Sequence, residues 1–166
     1  MATTFEPLEY FAQLVSENKL CTENGFKAVY CSGPDNLEGI MEEYRTTENF
    51  VVIEDTTDNS VHCNRPGWFT RTCYTVWILA STDYNDMNMR AEKMELCRKV
   101  FRQFLSRMVL DKARFTYGNE MAYLALEKVL YKELGRYSMN GATGLYFMVE
   151  NDVPTSLVYN SEDWNY

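Results

Sequence analysis

The sequence predicts a single α+β domain, with a mixed or antiparallel sheet of four to five strands packed by an N-terminal helix and one long helix. Three observations carry that reading. A chain of 166 residues, 46% of them hydrophobic, can bury one sizeable core, whereas two domains of half that length would each be undersized. One apolar stripe at helical spacing runs through residues 86–110. Runs of β-branched and aromatic residues lie on both sides of that stripe. Residues 1–154 are assigned to the domain and 155–166 to an aromatic, acidic tail.

Thr4 followed by Phe5, Glu6 and Pro7 reads as a helix start, with a threonine cap, an acid near the positive helix end and a proline where no donor is needed. Leu8, Phe11, Leu14 and Val15 then recur at helical spacing, which predicts a helix ending near Lys19. Residues 26–31 follow an Asn24-Gly25 turn and read as a short strand. A short helix is expected over 36–44, where Leu37, Ile40, Met41 and Tyr44 fall on one face and Glu38, Glu42 and Glu43 on the other. Phe50, Val51, Val52 and Ile53 form a continuous apolar run typical of a buried strand, and the polar stretch 54–60 reads as the loop of a long hairpin. The strongest strand spans 68–80 and is expected to pair antiparallel with the Phe50 strand. In the long helix the stripe comprises Met87, Met94, Cys97, Phe101, Phe104, Leu105 and Met108, with acids before it and cations at its end. Residues 121–137 fit a helix by propensity and a strand by alternation, and the alternation favours a strand over 126–134. Turn residues 140–144 then lead to an apolar strand at 145–149 that ends near Pro154 and closes a C-terminal hairpin.

Composition narrows the function. The chain is 24% charged and 14% aromatic, too core-rich for disorder and too polar for a membrane protein. It lacks the roughly 18 consecutive apolar residues of a membrane span, and its N-terminus has no basic-then-apolar leader, so a cytoplasmic product is expected. Cys21, Cys31, Cys63, Cys73 and Cys97 are odd in number and no two are closer than ten residues, which fits neither a disulfide framework nor a metal knuckle. A net charge of −8 argues against general nucleic-acid binding. The charge is nonetheless uneven: residues 35–58 are strongly acidic, and residues 98–114 are strongly basic. Such a split reads as two solvated faces or as complementary surfaces between like subunits.

No catalytic, metal or cofactor constellation emerges. His62 and Cys63 are neighbours on an extended segment and point to opposite faces. The acids Glu54, Asp55 and Asp58 lack the alternating ligand spacing of a calcium loop, and residues 141–144 lack the Gly-Lys-Ser/Thr of a phosphate loop. Arg65, Trp68, Phe69 and Arg71 read either as the residue types enriched at the centres of protein interfaces or, for Trp68 and Phe69, as the start of the core strand. Trp164 and Tyr166, with Tyr159, offer aromatic anchors in the tail.

In order of elements the chain resembles the small α+β tail-terminator (tail-completion) and neck proteins of tailed bacteriophages, with matching segments at 5–19, 50–80, 86–110 and 126–153 and an added strand and helix at 26–44. The resemblance implies a non-enzymatic subunit of a homo-oligomeric ring, often hexameric, that caps the tail tube and joins it to the head. Its partners would be copies of itself and other tail or neck proteins, with no membrane and no sequence-specific nucleic acid. It would be a virion component assembled in the bacterial host cytoplasm. On that reading the acidic segment at Glu42, Glu43, Asp55 and Asp58 of one subunit meets the basic helix end at Arg102 and Arg107 of the next. The alternative is a small monomeric adaptor or chaperone-like module that captures a partner through its sheet face or aromatic tail.

Overall fold

Proline sets the first boundary. With no N–H to donate and φ fixed near its helical value, Pro7 occupies the first turn of helix α1 (Pro7–Glu17), and Glu6 is the N-cap without a side-chain capping bond. The expected cap, Thr4, lies outside the described residues; the computed structural model describes residues 5–33, 36, 39, 49–65, 67–83, 85–135 and 141–165. α1 buries Phe11, Leu14 and Val15 as their spacing predicts, and Tyr10 with them. The helix stops short of Lys19 because Asn18 turns extended and its side chain accepts from the Cys21 N–H, which starts the short helix α2 (Lys19–Glu23). The predicted helix over 36–44 lies, but for Asn36 and Gly39, outside the described residues.

The long helix α3 (Met87–Ala113) is capped by Asp86, whose carboxylate accepts from the N–H groups of Asn88 and Met89 at 3.0 and 2.9 Å. Its buried stripe holds Met94, Cys97, Val100, Phe101, Phe104 and Met108, whereas Met87, also predicted, is exposed. Near its end one buried acid, Asp111, accepts from the Tyr10 hydroxyl and Arg107 Nε, both at 2.9 Å, and from the Thr116 hydroxyl at 3.3 Å. A buried carboxylate needs this many donors, and the arrangement ties α1 to α3.

Six described strands form one mixed sheet: β1 (Phe26–Cys31), β2 (Asn49–Glu54), β3 (Asp58–Asn64), β4 (Gly67–Ser81), β5 (Leu130–Leu134) and β6 (Ala142–Thr155). The order is β1-β2-β4-β6-β5, and β3 pairs with β4 beside that path. β1 and β2 are parallel and every other pairing is antiparallel. The predicted antiparallel pairing of the 50–53 and 68–80 segments is present. Two expectations need correction. Residues 58–60 belong to strand β3 and not to a hairpin loop; their polar side chains are tolerated because the strand is almost wholly exposed. β5 is shorter than the expected 126–134, because the chain before it is pinned in irregular form by buried Met121 and Leu124, an isolated bridge from Leu124 to Asn151, and Lys112 Nζ donating to the Leu124 carbonyl at 2.6 Å.

α1 and α3 pack on one face of the sheet, here the helix face, where Val51, Ile53, Val76, Ile78, Leu145 and Phe147 meet Phe11, Phe101 and Phe104. Phe147 lies with its ring centroid 6.0 Å from that of Phe11 and 5.1 Å from that of Phe101. On the far face a smaller buried cluster holds Cys31, Phe50, Val52 and Leu79, and Trp77 Nε1 donates to Glu54 at 2.6 Å beside it. Gly144 sits between β4 and β5 with φ of +149°, where an added Cβ would stand 2.0 Å from the Ile78 carbonyl oxygen.

Candidate assembly surface

One strand serves two environments. Residues 76–80 of β4 pair with β2 inside the body, and residues 67–73 pair with β3 on the same side, so β2 and β3 lie end to end along β4. Between the Ile53–Val76 and Asp58–Cys73 pairs, residues 54–57 face only 74 and 75, a bulge that separates the two strands. Beyond the bulge, β3, the first half of β4 and the second half of β6 form a three-stranded arm whose tip is at Arg65, after Asn64. β3 is exposed along nearly its whole length, and no residue of β4 before Val76 is buried.

Alternation along the strands distributes the arm's side chains. On the far face His62 stacks on Phe69 with ring centroids 5.9 Å apart and lies 3.4 Å from Asp152. Arg71, also there, reaches Glu150 and Asp152, each at 3.5 Å. On the helix face Val61, Trp68 and Val153 are 53%, 45% and 39% exposed, with Trp68 two residues nearer the tip than the Val61–Thr70–Val153 row. An open groove of about 340 Å³ marks the junction of arm and body, lined by Phe5, Tyr74, Tyr123, Asn151 and Val153.

The predicted interface group Arg65, Trp68, Phe69 and Arg71 therefore shares one arm, but on its two faces. Asp58 opens β3 on the far face, and Asp55 in the bulge accepts from the Ser32 hydroxyl at 2.7 Å. Glu42, Glu43 and Tyr166 lie outside the described residues. Trp164 is exposed and stacks on Tyr159 at 6.2 Å. His62 and Cys63 point to opposite faces, paired across the strand with Phe69 and Trp68. Sequence reasoning missed His62, Glu150 and Asp152 as a group; the polar positions alternating on β3 and β6 were the available signal.

The basic helix end is not a free cationic surface. Arg102 binds Glu95 at 2.8 Å, Arg107 binds Glu17 at 3.2 Å as well as Asp111, and Lys112 lies 3.3 Å from Glu127. Arg98 grips Glu133 on β5 through two hydrogen bonds of 2.7 and 2.8 Å, which hold the Glu133 carboxyl below its usual range. The cations counted along α3 are thus largely matched by acids of the same chain, so a direct meeting of Arg102 and Arg107 with an acidic neighbour is not what this arrangement favours.

Burial also shifts groups in the core. Burial pushes the Cys21 and Cys97 thiols up to about 12, and burial, then the hydrogen bond to Asp111, raise the Tyr10 phenol. Among the described residues no group of three or more His, Cys, Asp or Glu side chains is placed to hold a metal ion, and no helix is long and apolar enough to cross a membrane. No protein-family model matches the chain, and no curated protein sequence matches it.

Proposed function

We propose that the chain is a structural assembly subunit, resembling the ring-forming tail-terminator and neck proteins of tailed bacteriophages, that joins copies of itself and contacts a neighbouring protein of the same assembly. The arm carries this reading. A sheet that continues past its helices leaves Val61, Trp68 and Val153 on an extended β surface. Such a surface gains little from folding alone and much from a partner that covers it. In the phage setting the partner would be another tail or neck protein, and the site of assembly the host cytoplasm and then the virion.

Light scattering and negative-stain imaging of the purified chain, from micromolar to high concentration at low and high salt, test the proposal. A homo-oligomeric ring with a central channel is the expected result. A monomer under every condition would sink it and favour the adaptor reading, for which the exposed tail residues Leu157, Val158 and Trp164 are the natural anchor. In that event deletion of 155–166 should abolish partner capture, whereas a ring would survive it.

A further inference from the structure

We infer that copies of this chain join edge to edge, with β5 of one subunit pairing antiparallel to β1 of the next. The inference deepens the ring proposal and rests on it. β1 and β5 are the two outer strands of the body, and among the described residues neither has a partner on its outer side. They also lie at the same level. The row Tyr30–Ile53–Val76–Phe147–Tyr131 crosses all five strands, and so does the row Val29–Val52–Trp77–Tyr146–Lys132. A second copy placed beside the first in the same orientation therefore continues the sheet without a step.

Strand direction agrees. From β1 the chain directions run parallel to β2, then reverse at β4, β6 and β5, so β5 runs opposite to β1. The junction is then antiparallel, the more favourable pairing per residue, and both copies keep their helices on one side of the sheet. Because the two edges differ, the contact is head to tail, the type that closes into a ring when the rotation between copies allows.

The side chains fit this register. Continuing the Tyr30 row sets Tyr131 of one copy beside Tyr30 of the next on the helix face; they are 52% and 49% exposed in the single chain. Cross-strand aromatic pairs of this kind stabilise antiparallel sheets. On the far face Lys132 falls beside Val29 and Leu134 beside Lys27, so neither edge lysine faces the other directly. Lys128, exposed in the bend two residues before β5, and Asp55, held by Ser32 just past the end of β1, fall at the same end of the junction. Lys128 has no ion pair among the described residues. The junction thus brings a cation of one copy, Lys128, to the end where an acid of the next, Asp55, lies.

Disulfide trapping tests the register. In a Cys63→Ser background, which removes the exposed native thiol, a chain carrying Tyr30→Cys is mixed with one carrying Tyr131→Cys and oxidised. A cross-linked pair containing one of each is expected, because directly opposed antiparallel residues lie within disulfide reach. Either chain alone should stay uncross-linked, and a chain with both substitutions should give a ladder or closed multimer. Charge reversal gives an independent readout: Asp55→Lys or Lys128→Glu should weaken association by roughly tenfold, and the two together should restore it. If light scattering shows an assembly but the mixed chains do not cross-link and the double reversal restores nothing, the edge pairing is wrong and the ring proposal stands. If no assembly forms at all, both fall.

Discussion

The two halves of β4 are both rich in β-forming residues and differ in what covers them. In the body, Val76, Ile78 and Ala80 are sealed beneath α1 and α3. In the arm, Trp68, Thr70 and Thr72 point to the same side of the sheet and none of them is buried, and Trp68 remains 45% exposed. β propensity is as strong in one half as in the other, so strand formation alone cannot explain why the arm persists without a core. The difference teaches that burial, set by where the helices stop, separates the part of the sheet that folds the molecule from the part that is available to partners.

Glycine substitution breaks the comparison most sharply. In the body, Gly144→Ala drives a Cβ onto the Ile78 carbonyl oxygen, at 2.0 Å, from a φ of +149° that other residues rarely adopt. Neither strand can move, since β4 and β6 are paired along their whole length and both bury side chains against the helices. The expected loss is at least about 3 kcal/mol of unfolding free energy. In the arm, Gly67→Ala meets nothing within 4 Å and should change stability by less than about 0.5 kcal/mol. Urea unfolding of the two variants decides the matter: equal midpoints would mean that arm and body are equally constrained.

Much of this division was legible in the sequence, for a physical reason. The body's elements carry their own periodicity: the stripe of α3 and the apolar run of β2 announce both the element and the side it buries. β3 was not legible, because a strand exposed on both faces has no core to enforce alternation, and Asp58, Asn59 and Ser60 read as a loop. The start of β5 was hidden for another reason: residues 121–129 contain good helix formers and an alternating pattern, and tertiary pinning at Leu124 overrode both. At the site, Arg65, Trp68, Phe69 and Arg71 stood out by residue type alone. The Arg71–Asp152 contact spans 81 residues and is visible only once β4 and β6 are paired. For the same reason, charge counting along α3 could not show that Arg98, Arg107 and Lys112 are each matched by an acid from elsewhere in the chain, Glu133, Glu17 and Glu127.

A milder test sharpens the body's side of the comparison through pH. Burial keeps the Cys97 thiol neutral in the folded chain up to about 12, whereas in the unfolded chain it ionises near about 8.5. The stabilisation is therefore complete below the unfolded value and is lost as pH climbs toward the folded one. Over that window the thiol contributes a fall of about 1.4 kcal/mol per pH unit. Cys97→Ala should lower stability at pH 7 through lost packing, yet flatten the decline between about pH 9 and 11 by that amount. Urea midpoints measured across this range in both proteins provide the check, and parallel declines would remove the buried thiol from the account.

The smallest expected effect belongs to the arm. Val61 and Val153 flank Thr70 in one row and are more than a third exposed, so each gives up little apolar burial when changed to serine. Val61→Ser and Val153→Ser together should shift unfolding free energy by no more than about 0.5 kcal/mol, because a β surface that is open to water tolerates hydroxyls nearly as well as methyls. A loss of 2 kcal/mol or more in the same urea experiment would show that these valines belong to the folding core. The arm would then be an extension of the body, and the separation between a buried sheet half that folds the molecule and an open one would no longer hold.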